Sequence, residues 1–449
     1  MNEANDTSGG IDKDLADKPD IGTVKDLADN AVTGSGKDVA DRIAVGTVKD
    51  LADNAVTGSG KDVADRIAVG IVKDLAKGGD GVISHAGHSV FVPGVLPGER
   101  VEFVIRGQQK SVVSGSLIRI LQPSPLRVEA PCSHYGECGG CDLQHCSPAG
   151  QLQLKEQILR RNLRTIARMD ALPPLEVFAS PPFRYRTKTV FQIRDGHLGF
   201  FRRRSRQLCV IHGCQLVPEA VETFLNENRD RFGKIVSGQL VTVSNGPELA
   251  AQLQTGRKAA LVSAARTIEF RIGLFRYRVG PDNFIQSNRF LLPDMLRLLE
   301  ESLAPLRVKR AVDLFCGAGF FSLVLAGRAA EVLALENDRS NLAAFRENLR
   351  LNRIGNVRPI SADVGRTTVP EADFYVVDPP RAGIPTGIID QLADGRPQAL
   401  AYYSCDSATL ARDLARLTRR NYRPRRMVMI DNFPQTDHFE VFTLLAYSP

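Results

Sequence analysis

The chain reads as an α/β protein: a doubly wound parallel domain preceded by a small β-barrel and a mixed α+β region. Three observations predict this. From about residue 276, apolar strand-like runs alternate with helical stretches, and several runs end in a glycine loop or a carboxylate. Over 70–128, short β-branched runs are punctuated by Gly and Pro, the pattern of an oligonucleotide-binding-like (OB-like) barrel of about five strands. Over 129–275, a cysteine cluster, one helix-like stretch (151–168) and several strand-like runs are interleaved.

Each part has its own signal. Residues 1–69 contain no Phe, Tyr or Trp, and the block GTVKDLADNAVTGSGKDVADRIAV at 22–45 recurs letter for letter at 46–69. Without aromatic residues to build a core, this segment is expected to be a disordered acidic tail. It carries a net −6, which leaves +13 on residues 70–449 of the total +7. A body that basic points to a polyanionic partner, nucleic acid first. Two basic runs, FRRRSRQ at 201–207 and RLTRRNYRPRR at 416–426, have aromatic neighbours and are expected to favour RNA contact. No stretch approaches the ~18–20 apolar residues of a membrane span. The acidic N-terminus lacks a secretory pattern, so the cytoplasm is expected. Eight cysteines in that setting point to metal or catalysis rather than disulfides.

The segment Asp313–Gly319 (DLFCGAG) follows an apolar run and opens a helix, where glycines let a ligand approach the backbone. Glu336 closes the next strand, Asp363 follows the third, and Asp378-Pro-Pro follows the fourth. The third glycine of a dinucleotide fingerprint is replaced by Ser322. Carboxylates at successive strand ends suit S-adenosylmethionine, which has ribose hydroxyls and an amino group but no pyrophosphate to repel. Cys316, inside the glycine loop, is read as packing. Cys132, Cys138 and Cys141 form C-x5-C-x2-C, with two glycines to bend the chain. Such spacing predicts a metal or iron–sulfur site needing a fourth ligand, with Cys146, Cys209 and Cys214 as candidates. Zinc is the rival, although its paired C-x2-C knuckles are incomplete.

Together these residues resemble the S-adenosylmethionine-dependent RNA (uracil-5-)-methyltransferase family, in particular its iron–sulfur branch acting on 23S ribosomal RNA. The resemblance spans about 70–449. It implies a TRAM barrel at 70–128, a central iron–sulfur α+β domain at 129–275 and a Rossmann-like class I methyltransferase domain at 276–449. It implies a 4Fe-4S cluster on Cys132, Cys138, Cys141 and Cys214, and cofactor contacts from Gln286, Phe315, Gly317, Phe320, Glu336, Asp363 and Asp378. SCDSAT (404–409) resembles the family's nucleophile loop, making Cys405 the nucleophile, and DNFPQTDHFE (431–440) the loop ending in the base, Glu440. Ser407 stands where the family usually has proline, and Phe320 where many members have asparagine.

The implied chemistry explains a cysteine where a strand ends. Uracil C5 is a poor nucleophile. A thiolate added to C6 makes C5 electron-rich enough to take a methyl group, after which a base removes the C5 proton. Asp378 is expected to orient the uracil or the cofactor, and Arg381 to hold a phosphate or the enolate. The target base must be rotated out of its stack. A monomer is expected. The alternatives are a transfer-RNA uridine-5 methyltransferase, disfavoured by the cysteine cluster, and a non-catalytic RNA-binding protein, which leaves Cys405 and Glu440 unexplained.

Overall fold

The computed structural model describes residues 66–109 and 112–448. The acidic repeats up to residue 65 lie outside the described residues. The first strand, Arg66–Leu75, begins inside the last repeat, four residues ahead of the boundary expected at Gly70. Alternation continues across that boundary: Ala68 and Val72 are buried, whereas Ile67, Val69 and Ile71 are exposed. This strand closes a five-stranded barrel with Gly81–His85, His88–Val92, Val112–Gln122 and Arg100–Gln109, in that order. Its core includes Val72, Ile83, Val92, Phe103 and Val113.

A six-stranded antiparallel sheet follows, in the order Lys258–Leu261, Leu249–Thr255, Ser237–Ser244, Lys188–Arg194, His197–Phe201, Leu208–Val210. Helix Glu219–Glu227 covers it through Val221 and Leu225, which meet Phe191 and Leu240. The hairpin Ile268–Ile272/Phe275–Val279 forms a separate two-stranded sheet. The boundary expected at 275/276 therefore cuts through a hairpin. The turn at Gly273-Leu274 resembles a linker locally, but the two strands bury Phe270 and Tyr277 in the C-terminal core.

That core surrounds an eight-stranded sheet, ordered Val357–Ser361, Ala329–Glu336, Val308–Leu314, Phe374–Val377, Ala399–Ser404, Glu440–Tyr447, Tyr422–Ile430, Leu175–Phe178. The first five strands are parallel and buried between helical layers; Glu440–Tyr447 runs antiparallel to the fifth and forms an antiparallel hairpin with Tyr422–Ile430. Two pieces assigned by sequence to the central region belong here. Leu175–Phe178 adds to the sheet edge beside Tyr422–Ile430. Helix Pro148–Thr165 buries Leu152, Leu159 and Leu163 in the same cluster as Leu410 and Leu414 of helix Ser407–Arg419. An apolar stripe must be covered by whichever surface fits it, and here that surface lies about 250 residues away in sequence.

One barrel turn joins all three parts. Lys77 Nζ pairs with Asp406 Oδ2 at 2.5 Å, and Gly78 N donates to Asp437 Oδ2 at 2.6 Å. A side chain on Gly79 would strike Asp142 Cβ at 2.8 Å. Asp80, fully buried, takes Arg203 Nη1 at 2.9 Å and also pairs with Arg204. Removing a buried carboxylate from such a pair leaves cations without their partner, at a cost of about 3 kcal/mol. Asp80→Ala is accordingly expected to lower the unfolding free energy by that amount, measured by urea titration of the intact chain.

Candidate active site

Strand register assembles the reacting groups. Ser404, the last residue of its strand, pairs with Val441, so Cys405 comes level with Glu440 on the neighbouring strand. Val377 pairs in parallel with Tyr402, which brings Asp378, the next residue, to the same sheet end. This is the carboxyl end of the parallel strands, where open α/β sheets bind ligands. Cys405 is half-buried and faces a cavity of about 220 Å³ lined by Lys77, Arg161, Asn162, Ser407 and His438.

Electrostatics set the resting state. Burial pushes the Glu440 carboxyl up to about 7, against a hydrogen bond accepted from Asn432 Nδ2 at 2.7 Å. Asp378 is raised well above the ordinary carboxylate range by burial and then by Glu440, while it accepts a bond from Gln286 Nε2 at 2.6 Å. Two carboxylates this close and this dry do not both ionise readily, so they titrate as a pair. Burial, then the charges of Glu440 and Asp378, push the Cys405 thiol up to about 11, with Arg381 acting in the opposite direction. The thiolate therefore needs help to form, and Arg381 is the cation in position to supply it.

The glycine loop lies one strand away. Phe315, Gly317 and Gly319 all have positive φ, at 64°, 54° and 89°. For Phe315 this is a strained backbone state of the kind that clusters at ligand sites. At Gly319 a Cβ would meet the Phe345 ring at 2.2 Å, so only glycine fits. Gly317 N donates to Glu336 Oε2 at 2.9 Å, and Glu336 Oε1 accepts from Asn337 N and Asp338 N. These bonds fix a carboxylate at the tip of the second strand, facing the loop. Gln286 is buried beside Asp378. A ligand with hydroxyl and amino groups matches this acceptor-rich rim. Asp363 caps a 3-10 turn by accepting from Gly365 N at 2.9 Å and is exposed. Phe320 has its ring buried against Tyr277 and Phe321, and its carbonyl accepts from Tyr277 Oη. The ring packs into the core beside the glycine loop. Cys316 is packed in the same core.

Cys132, Cys138, Cys141 and Cys214 line one cavity of about 360 Å³, together with Gly139 and Gly140. Cys146 and Cys209 are buried in separate apolar clusters. Gly139 passes so close to the next strand that a Cβ would lie 2.7 Å from Phe201 O. Burial pushes the Cys138 thiol up to about 11 and the Cys141 thiol up to about 12, and the other sulfurs of the cavity add to both shifts. Gln144 Nε2 donates to Cys141 Sγ at 3.2 Å. Among the described residues, no three His, Cys, Asp or Glu side chains converge as the ligands of a single metal ion.

Five of the ten arginines in the two basic runs are ion-paired within the protein. Arg202, Arg203 and Arg204 pair with Glu137, Asp80 and Asp142. Arg420 pairs with Asp390 and Asp394, and Arg426 with Glu176 and Glu301. Carboxylates distant in sequence claim these five, and the expectation that the runs favour RNA contact is narrowed to that extent. Sequence reasoning also missed Asn432, which is fully buried against Glu440.

A parallel sheet with a glycine loop at its carboxyl end, and a cysteine beside an acid pair, fit a methyltransferase-type α/β enzyme. The family model of tRNA (uracil-5-)-methyltransferases matches residues 263–368 and 369–447. The chain is 32% identical over 404 residues to the 23S rRNA (uracil(1939)-C(5))-methyltransferase RlmD of Vibrio parahaemolyticus, covering 80% of this chain and 91% of that protein. It is also 32% identical over 420 residues to the RlmD of Pectobacterium atrosepticum, covering 82% and 91%. The chain belongs to the RNA (uracil-5-)-methyltransferase family, whose members use S-adenosylmethionine. The same fold occurs in the Pyrococcus abyssi tRNA (uracil-54, C5)-methyltransferase solved with S-adenosyl-L-homocysteine. That match has a TM-score of 0.68 and 22% identity, covering 84% of this chain and 99% of that one.

Proposed function

We propose that this enzyme methylates C5 of one uridine in 23S ribosomal RNA, with Cys405 as nucleophile and Glu440 as base. The observation that carries the reading is the convergence of Cys405, Glu440 and Asp378 at one sheet end. Cys405 Sγ adds to C6 of the uracil, and the electron pair of the C5–C6 bond moves onto the ring as an enolate. S-adenosylmethionine, when bound, would supply an electrophilic methyl group to C5 and leave as S-adenosylhomocysteine with the electron pair of the broken sulfur–methyl bond. Glu440 then removes the C5 proton, C5–C6 is restored as a double bond and the thiolate leaves. Gln286, Glu336 and the backbone of Phe315–Gly319 hold the cofactor, with Asp363 at its outer edge. Asp378, fixed by Gln286, orients the reacting partners, and Arg381 steadies the thiolate and the enolate. RNA carrying 5-fluorouridine at the target has no C5 proton to lose. Incubation with S-adenosylmethionine is expected to give a covalent protein–RNA adduct that survives denaturing gels. A denaturation-labile complex alone would count against the mechanism.

The ribosomal reading draws on the relatives named above and on the cysteine cavity. Four thiols lining one void support an iron–sulfur cluster held by Cys132, Cys138, Cys141 and Cys214. Thiols this reluctant to ionise give up their protons when a metal takes the charge. Protein purified without oxygen is expected to contain about four iron and four sulfide per chain, lost in Cys138→Ser. Stoichiometric zinc with no sulfide would refute the cluster.

A further inference from the structure

We propose that helix Pro148–Thr165 sets the position of both reacting loops, and that Asn162 is a positioning residue for the nucleophile, acting through Ser407. This rests on the reading of Cys405 as nucleophile. Gln151, Lys155 and Asn162 are spaced by four and seven residues, so they share one helix face. Each reaches a loop of the reaction centre. Gln151 and Gln435 form a reciprocal pair: Gln151 Nε2 donates to Gln435 Oε1 at 3.0 Å, and Gln435 N donates to Gln151 Oε1 at 2.8 Å. Lys155, fully buried, pairs with Asp431 at 2.6 Å and donates to Phe433 O at 3.1 Å. These three partners lie on the segment that leads into Glu440. Two turns further along, Asn162 Nδ2 donates to Ser407 Oγ at 2.8 Å.

Ser407 stands two residues after Cys405 and opens helix Ser407–Arg419. Asp406 caps that helix by accepting from Ala408 N and Thr409 N at 3.1 and 3.0 Å. The cap fixes the helix start but does not register it against the rest of the protein. The Asn162–Ser407 bond does so from the interior, whereas the Lys77–Asp406 pair acts from the surface, with Lys77 71% exposed. A shift of Ser407 is passed to Cys405 across a single intervening residue. Because attack on C6 needs near-contact geometry, a displacement of order 1 Å costs up to ~100-fold in rate. The same helix thus holds nucleophile and base in mutual register.

The variant Asn162→Ala is expected to lower kcat roughly tenfold on a 23S ribosomal RNA fragment. KM for RNA and for S-adenosylmethionine should stay within about twofold, and the thermal midpoint should be near that of the native chain. A fall in kcat alone separates positioning from binding and from folding. The second variant removes the other end of the bond. Ser407→Ala keeps the Asp406 cap, and its kcat should fall by about the same factor, with no further fall in Asn162→Ala/Ser407→Ala. Native kcat in Asn162→Ala overturns the proposal, as does a double variant whose loss multiplies the two single losses. Cys405→Ala assayed in parallel keeps the two questions apart. Activity without the sulfur would defeat the nucleophile reading itself, whereas an inert Cys405→Ala beside a native Asn162→Ala would defeat only the positioning role.

Discussion

Cys405→Ala is expected to lose methyl transfer by a factor of at least ~10⁴ while still folding and still binding S-adenosylmethionine. The side chain is half-buried at a strand end, and its neighbours pack independently of it: Tyr403 stacks on Phe321 at 4.3 Å, and Asp406 caps the following helix. Removing one sulfur atom takes away the covalent route and little else. What remains is direct methylation of an unactivated carbon, which positioning alone accelerates weakly. Tritium release from C5-labelled RNA measures the loss, and equilibrium dialysis of labelled S-adenosylmethionine checks that the cofactor site survives. Turnover within tenfold of the native chain would show that C5 is activated by something other than this thiol.

Glu440→Gln is expected to separate activity from stability in opposite directions. The amide cannot take the C5 proton, so methylated RNA should accumulate as a covalent adduct even with ordinary uridine at the target. Stability should rise. The carboxyl has a folded pKa of about 7 against an ordinary 4.5. Below pH 4.5 it is neutral in both states and contributes nothing. Between 4.5 and 7 the unfolded chain releases its proton first, so native stability declines as pH rises, and above 7 the full penalty is present. Glutamine removes that penalty. Denaturant titration at pH 8 should therefore show a gain of about 3 kcal/mol over the native chain, shrinking toward zero near pH 4. Release of the C5 proton in a single turnover of the native enzyme should show the converse, rising with pH through 7 as the base becomes available. A variant no more stable than the native chain at pH 8 would place the shared proton on Asp378 instead.

Much of the architecture was legible because its signals are local. The five barrel strands and the seven strands after residue 308 follow from short apolar runs and their punctuation, and Asp378 and Cys405 fall at strand ends read from the same pattern. Long-range pairing was not legible. Nothing near Arg426 announces Glu176, and nothing near Arg203 announces Asp80, so arginines that are paired in the fold looked free. Helix Pro148–Thr165 was assigned to its chain neighbours, although its leucines pack beside those of helix Ser407–Arg419. A signal was available there: Gln151, Lys155 and Asn162 recur at helical spacing within a leucine-rich stretch, which marks polar groups with interior partners. Position in a motif likewise does not say which way a ring turns, and that of Phe320 turns onto Phe321.

The turn Lys77–Asp80 touches, residue by residue, the nucleophile loop, the base loop, the cysteine loop and an arginine pair. Interchangeability of parts is thereby limited. A chimera given a foreign barrel to redirect it to another transcript would also lose the latch on its own reaction centre. Retargeting by module exchange should succeed only when those four positions travel with the host rather than with the graft.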